Sequence, residues 1–218
     1  MTQDYYISGL QRSGTNLLQQ TIETNFQVAS TNRIKTGGRT WKHNISMPSE
    51  FPSDNLLVIY KNPYTWIESI AFRRPADIVE TQRMFPIDEI GGINHSMVVG
   101  EGDFNLINIC KTWQHYMQNW VVDNQRKTFF VKYESLLQDT QRHSVYTEIE
   151  NFFGWERVQP ELQYLEPGKV QYSENYKQSI EEYYIKGFPK HLTSEQIRTV
   201  NNIVGTSLIQ QLGYDIIQ

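Results

Sequence analysis

The chain has 218 residues, a formal net charge of −4 and 39% hydrophobic residues. This size and apolar share give one α/β domain as the default over two small ones, and the acidic balance excludes a general nucleic-acid binder while leaving a local basic pocket open. Cys110 is the only cysteine, which excludes a disulfide framework and a cysteine-based zinc set.

The N-terminus shows no basic segment followed by an apolar core, and no apolar run nears the ~20 residues of a membrane span. The expectation is therefore a soluble cytoplasmic protein without a membrane partner. The aromatic share is high, with thirteen Tyr and five Trp, which suits flat pockets or a dense core.

Tyr5–Ile7 is a short apolar run that predicts a buried strand. It leads into Gly9-Leu10-Gln11-Arg12-Ser13-Gly14-Thr15. Leu18, Ile22 and Phe26 then fall four apart and predict a helix over about Thr15–Asn25. Strand, glycine-bounded loop and helix is the arrangement that aims backbone N–H groups and a helix N-terminus at an anion. Gly14 lets the backbone come close, Arg12 adds a permanent positive charge, and Ser13 and Thr15 add hydroxyl donors. Gly9 and Gly14 have the Walker separation, but Thr15 stands where that pattern has Lys, and Asn16 where it has the magnesium-binding hydroxyl. Turns of this kind are often purely structural; Arg-Ser-Gly-Thr favours the anion. The run Gly9–Thr15, followed by Asn16-Leu17-Leu18, resembles the 5′-phosphosulfate-binding loop of the sulfotransferases that use 3′-phosphoadenosine 5′-phosphosulfate (PAPS). The Arg-Ser-Gly-Thr form is similar to that of the tyrosyl-protein and bacterial members.

Val28–Ser30 reads as a second short strand, and 31–39 is polar with Gly37-Gly38 as a turn. Thr40–Ile45 is short and alternating enough to be a strand end. Within it His43 alone reads as structural or solvated, and Lys42 as a solvated lysine. The resemblance implies more, because a His-bearing segment occupies this place in the family: His43 becomes the general base and Lys42 its companion for the sulfuryl oxygens. Asn55–Tyr60 is a continuous apolar run, as in a parallel strand covered on both faces. Lys61 follows at its carboxyl end, Asn62 reads as a helix N-cap and Pro63 as the first helical residue. Ser69 lies eight residues beyond Lys61. The family carries Arg-(Asp/Asn)-Pro at such a strand end with a Ser eight positions on, both on the 3′-phosphate. The resemblance therefore assigns Lys61 and Ser69 to that phosphate, with Lys replacing the bidentate Arg fork.

Residues 73–103 show little regular pattern. They read as a lid or acceptor-binding insertion with a short helix around Ala76–Met84; His95, within it, reads as a surface histidine. Asn105–Gln125 predicts a long helix with Ile109, Trp113, Tyr116 and Trp120 on one stripe. Lys127–Tyr133 predicts a third apolar strand, and the Tyr133-Glu134-Ser135-Leu136 that follows is similar to a mainly structural family segment. A helix is expected over Ser144–Phe153, closed by Gly154, and 159–171 reads as a loop. Lys186-Gly187 is a common dipeptide, but it resembles the segment that closes over the 3′-phosphate. Thr193 and Gln196 form a capping box, opening a helix through Ile197, Val200, Val204, Leu208 and Leu212.

The resemblance implies a three-layer α/β sandwich with a central, mainly parallel sheet, the P-loop-like sulfotransferase fold, in a single domain over 1–218. It implies a sulfuryl transfer from PAPS to a hydroxyl or amine acceptor, a small molecule or glycan, releasing adenosine 3′,5′-bisphosphate without a metal. Arg12, Ser13, Gly14, Thr15 and Asn16 would hold the 5′-phosphosulfate, and Lys61, Ser69, Lys186 and Gly187 the 3′-phosphate. His43, Arg12 and Lys42 would be catalytic. Glycan-type members use an acid as base instead; Glu23 is the nearest here. A P-loop small-molecule or nucleoside kinase and a non-catalytic nucleotide-binding module remain open as alternatives.

Overall fold

In the computed structural model, which describes residues 3–10, 12–33, 43, 47, 53–71, 103–165, 183 and 185–218, the apolar runs become strands. β1 (Gln3–Ser8), β2 (Val28–Ser30), β3 (Leu56–Tyr60) and β4 (Thr128–Lys132) form one sheet in the order β2-β1-β3-β4. The pairings among these four strands are parallel, with Tyr5 beside Ser30, Tyr6 beside Leu56 and Tyr60 beside Lys132. Successive strand residues face opposite sides. Tyr5, Ile7, Leu57, Ile59 and Val131 enter one core, and Tyr6, Leu56, Val58 and Tyr60 enter the other.

α1 (Thr15–Asn25) links β1 to β2 and packs Leu18 and Ile22 into the first core. α2 (Pro63–Ala71) and α3 (Asp103–Met117) lie between β3 and β4 in sequence and pack Ile67, Ile109 and Trp113 into the second. The chain steps outward in one direction from β1 to β2 and in the other from β3 to β4. Right-handed crossovers then require the connecting helices to lie on opposite faces, as these two cores have them. After a 3₁₀ turn (Tyr133–Leu136), α4 (Asp139–Phe153) joins α1; α5 (Ser194–Val204) and α6 (Thr206–Gln211) join α2 and α3. The fold is α/β with helices on both sides of a parallel sheet.

Several boundaries differ from the sequence expectation. The helix expected through Gln125 ends in a wide π turn (Gln118–Val122), where the Asp123 N–H donates to the Gln118 carbonyl at 2.8 Å. Trp120, in that turn, lies nearly parallel to the Tyr116 and Tyr6 rings, with centroids 5.8 and 6.3 Å away. α4 starts at Asp139 rather than Ser144, because its polar first turn carries no apolar period. The terminal helix is two helices, broken at Gly205 with φ +87°. The apolar spacing of Val204, Leu208 and Leu212 runs through the break and conceals it. Of the expected insertion 73–103, including the helix around Ala76–Met84 and His95, only Asp103 lies within the described residues.

The Thr193 hydroxyl accepts from the Gln196 N–H at 3.2 Å, and the Gln196 side chain accepts from the Thr193 N–H at 2.9 Å. Removing the hydroxyl leaves orphan amides at the first turn of α5. Thr193→Ala is expected to cost about 1 kcal/mol, seen as a lower urea midpoint at unchanged slope.

Candidate functional site

β2 and β3 flank β1 on opposite sides, so the carboxyl ends of β1 and β3 border the point where the winding reverses, the usual crevice of such sheets. Two segments leave that crevice. The first, after β1, lies directly on β3: a Cβ at Gly9 would fall 2.5 Å from Ile59 Cγ2 and 2.9 Å from the Ile59 carbonyl oxygen. The Ser13 N–H donates to the Leu10 carbonyl at 3.1 Å and tightens the loop. Arg12 adopts φ +67°, a left-handed conformation costing a non-glycine residue roughly 1–2 kcal/mol, and its side chain is exposed. Gly14 follows at φ +84°, where a Cβ would fall 2.4 Å from Cδ2 of the Tyr133 ring.

α1 opens here. The Leu18 N–H donates to the Gly14 carbonyl at 3.0 Å, and no side chain caps the helix. Its N-terminus, with the positive end of the helix dipole, faces the loop. Ser13 and Thr15 are buried and Asn16 is exposed. Ser13 Oγ has no hydrogen-bond partner among the described residues. A buried hydroxyl left so costs about 1–3 kcal/mol, which a bound anion would recover.

His43 reaches this loop from 34 positions away. Its Nδ1 lies 2.6 Å from the Gly9 carbonyl oxygen. A carbonyl only accepts, so Nδ1 carries the proton and, in the neutral ring, Nε2 carries the lone pair. That tautomer is the one a general base needs. Lys42 lies outside the described residues.

The second segment is the tip of β3. Lys61 is 2% exposed, and its carbonyl accepts from Trp113 Nε1 at 3.1 Å. Its Nζ sits 5.3 Å from the centroid of the Tyr133 ring, the ring that also lies against Gly14. Loop and strand tip therefore meet over one tyrosine. Burial lowers the Lys61 pKa to about 8; Glu134 and Glu68 act against that shift, and the nearby Arg12 charge adds to it. Arg12 and Lys61 thus both follow carboxyl ends of adjacent parallel strands, and the Arg12 charge opposes that of Lys61. Asn62 caps α2, its Oδ1 accepting from the Tyr64 N–H at 3.0 Å and the Thr65 N–H at 3.4 Å.

Tyr183, Gly187 and His191 reach α2 or its cap at three points spaced one turn apart. The Tyr183 hydroxyl donates to the Thr65 carbonyl at 3.4 Å, and the His191 N–H donates to Glu68 Oε1. Gly187, at φ +72°, fits where a Cβ would fall 2.5 Å from Asn62 Nδ2. Lys186, beside it, is exposed. Ser69 lies on α2, and its hydroxyl donates to the Trp66 carbonyl at 2.7 Å. To serve a ligand as donor, that hydroxyl must rotate away from its own helix.

Glu134, read from the sequence only as part of a mainly structural segment, lies at the same strand tip. Glu134 is 7% exposed; its Oε1 accepts from the Asn62 N–H at 2.9 Å, and its Oε2 from the Tyr214 hydroxyl at 3.0 Å. Burial raises its pKa, opposed by these hydrogen bonds and by Lys61. The register explains the meeting: Tyr60 pairs with Lys132, so the residues two steps past each are neighbours. Only strand pairing carries that signal. Lys132, the other strand-end cation, donates to the Gly213 carbonyl at 3.0 Å. A cavity of about 570 Å³ runs along β4 and α4, lined among others by Phe129, Phe130, Lys132, Ser144 and Glu148, away from the loop. Among the described residues, no three His, Cys, Asp or Glu side chains gather as metal ligands, and no helix is long and apolar enough to cross a membrane.

The tyrosine beneath Gly14 gives a test of the loop. Gly14→Ala meets both a positive φ and the Tyr133 ring, and is expected to destabilise by roughly 2–4 kcal/mol. Gly154→Ala, at φ +67° with nothing within 4 Å of the added carbon, is the control and should cost only about 1 kcal/mol. Equal losses in urea titrations would remove the packing argument.

No family model, no curated protein and no solved structure matches this chain, so the case for a function rests on these residues themselves.

Proposed function

We propose that the chain is a cytoplasmic sulfotransferase of P-loop-like fold that moves a sulfuryl group from PAPS to a hydroxyl or amine acceptor, with a carbohydrate as the favoured class. The observation that carries this reading is His43, drawn from a distant part of the chain onto the carbonyl of Gly9. A phosphate-binding loop needs no histidine there; transfer to a neutral hydroxyl needs a group to take its proton. The orphan hydroxyl of Ser13 and the uncapped start of α1 fit the donor's 5′-phosphosulfate.

In this mechanism Arg12, Ser13, Gly14, Thr15 and Asn16 hold the 5′-phosphosulfate. The acceptor oxygen attacks sulfur as the bond to the bridging phosphate oxygen breaks, and its proton passes to Nε2 of His43. Arg12 and the α1 N-terminus stabilise the charge that gathers on the departing phosphate. Lys61, Ser69, Lys186 and Gly187 receive the 3′-phosphate. Lys42 attends the sulfuryl oxygens, and the acceptor is bound by 73–103. The donor supplies the reactive group, and no metal is required.

Labelled sulfate transfer tests the reading. His43→Ala is expected to reduce transfer by 10²–10⁴-fold, the usual worth of a general base, while adenosine 3′,5′-bisphosphate still raises the melting temperature. Stabilisation by ATP with magnesium, and not by the bisphosphate, would favour the kinase alternative. Bisphosphate binding with no transfer to any acceptor would favour the non-catalytic module.

Lys61 sets a pH dependence. A lysine with a lowered pKa is charged below that value and neutral above it, so affinity for the bisphosphate should fall as pH rises through about 8. The fall approaches tenfold per pH unit while the bound lysine stays protonated. Arginine stays charged throughout, so Lys61→Arg should flatten the profile between pH 8 and 9.5, measured by calorimetry.

A further inference from the structure

Lys61 is a buried cation at the tip of β3, and the groups around it can be named one by one. Below it lies the Tyr133 ring, 5.3 Å from Nζ. The charges that act on it are Glu134 and Glu68, which attract, and Arg12, which repels. Glu68 is turned toward the His191 N–H. Glu134 is fixed at both oxygens, by the Asn62 N–H at 2.9 Å and the Tyr214 hydroxyl at 3.0 Å. Tyr214 is itself held: its ring meets Tyr60 edge-on at 6.2 Å, and the Lys132 ammonium lies 4.8 Å from its centroid. Removing a carboxylate from water is costly. One that takes the Asn62 amide, its own backbone amide and a tyrosine hydroxyl still has a lone pair to offer a cation.

We propose that Glu134 is a positioning residue. Its carboxylate, pinned between Tyr214 and the Asn62 amide, fixes the Lys61 ammonium at the tip of β3, where an anion is received. The inference deepens the sulfotransferase reading and rests on it for the identity of that anion, the 3′-phosphate. Glu134 touches no substrate. It keeps Lys61 charged against burial and against Arg12, and it ties the 3₁₀ turn after β4 to the N-cap of α2. Tyr214 brings the C-terminal segment into the same arrangement.

The test reads Lys61 directly, without ligand. Protein carrying carbon-13 at lysine Cε is titrated by NMR, with Lys61→Arg used to assign the resonance. In Glu134→Gln the Lys61 midpoint is expected to move to lower pH, by about tenfold or more in proton concentration, because an attracting charge is gone while burial remains. Glu134→Asp keeps the charge but withdraws it by one methylene, and serves if the glutamine variant does not fold; its midpoint should move the same way by less. General loosening would admit water and move the midpoint upward instead. In either variant, bisphosphate affinity at pH 7.5 should fall several-fold and recover towards pH 6, where Lys61 is charged regardless. A midpoint that stays at the wild-type value, or rises, in the folded variants overturns the proposal. If wild-type protein binds no bisphosphate at any pH, the sulfotransferase reading fails, while the titration still decides the role of Glu134.

Discussion

The parallel register between β3 and β4 is the constraint on which the site depends. Pairing Tyr60 with Lys132 brings the residues just beyond them side by side. Lys61 then has the Tyr133 ring beneath it, and the Asn62 amide has the Glu134 carboxylate. A slip of one residue would turn the apolar side chains of β4 to the wrong faces. It would also leave a buried carboxylate facing no donor and a buried ammonium facing no anion. Both cores and the charges at the strand tips therefore demand one alignment, and each opposes the errors the other would tolerate.

The loop before α1 depends on the same pairing. Tyr133, the first residue after β4, is the surface on which Gly14 rests. Its ring is thus a common floor for the two cationic segments, and it sets how far apart they stand. Tyr133→Phe, which removes only the hydroxyl, would miss this, since the contact is with ring carbons. The lysine at position 61 also has a physical logic here. An ammonium is a compact charge whose protonation responds to burial, whereas a guanidinium stays charged and needs a planar, bidentate partner. With two carboxylates and an arginine acting on it, the station is tuned by its neighbours as much as by its ligand.

β3 was legible in the sequence because burial along its whole length writes an apolar run. The loop was legible because a short strand, two glycines and a periodic helix follow one another. Asn62 was legible as a cap because Pro63 follows it. The role of Glu134 was not: its contact with Asn62 spans 72 positions and exists only once the strands have paired. Gly205 was missed for a different reason, since the apolar spacing across it matches an unbroken helix and only the backbone angle betrays the kink. The joining of His43 to Gly9 lies between these cases. The residue could be singled out, but the atom that orients its ring is a carbonyl, and carbonyls are the same at every position.

Arg12 has an implication for how this protein would respond to selection. It is the only non-glycine residue with positive φ among those described, so glycine there would relieve conformational strain as surely as it would discard the guanidinium. A library ranked by heat resistance alone would drift toward that change and report it as an improvement. Persistence of arginine at that turn in a screened population would thus be a sign of what the screen demanded, legible even when the assay itself is unknown.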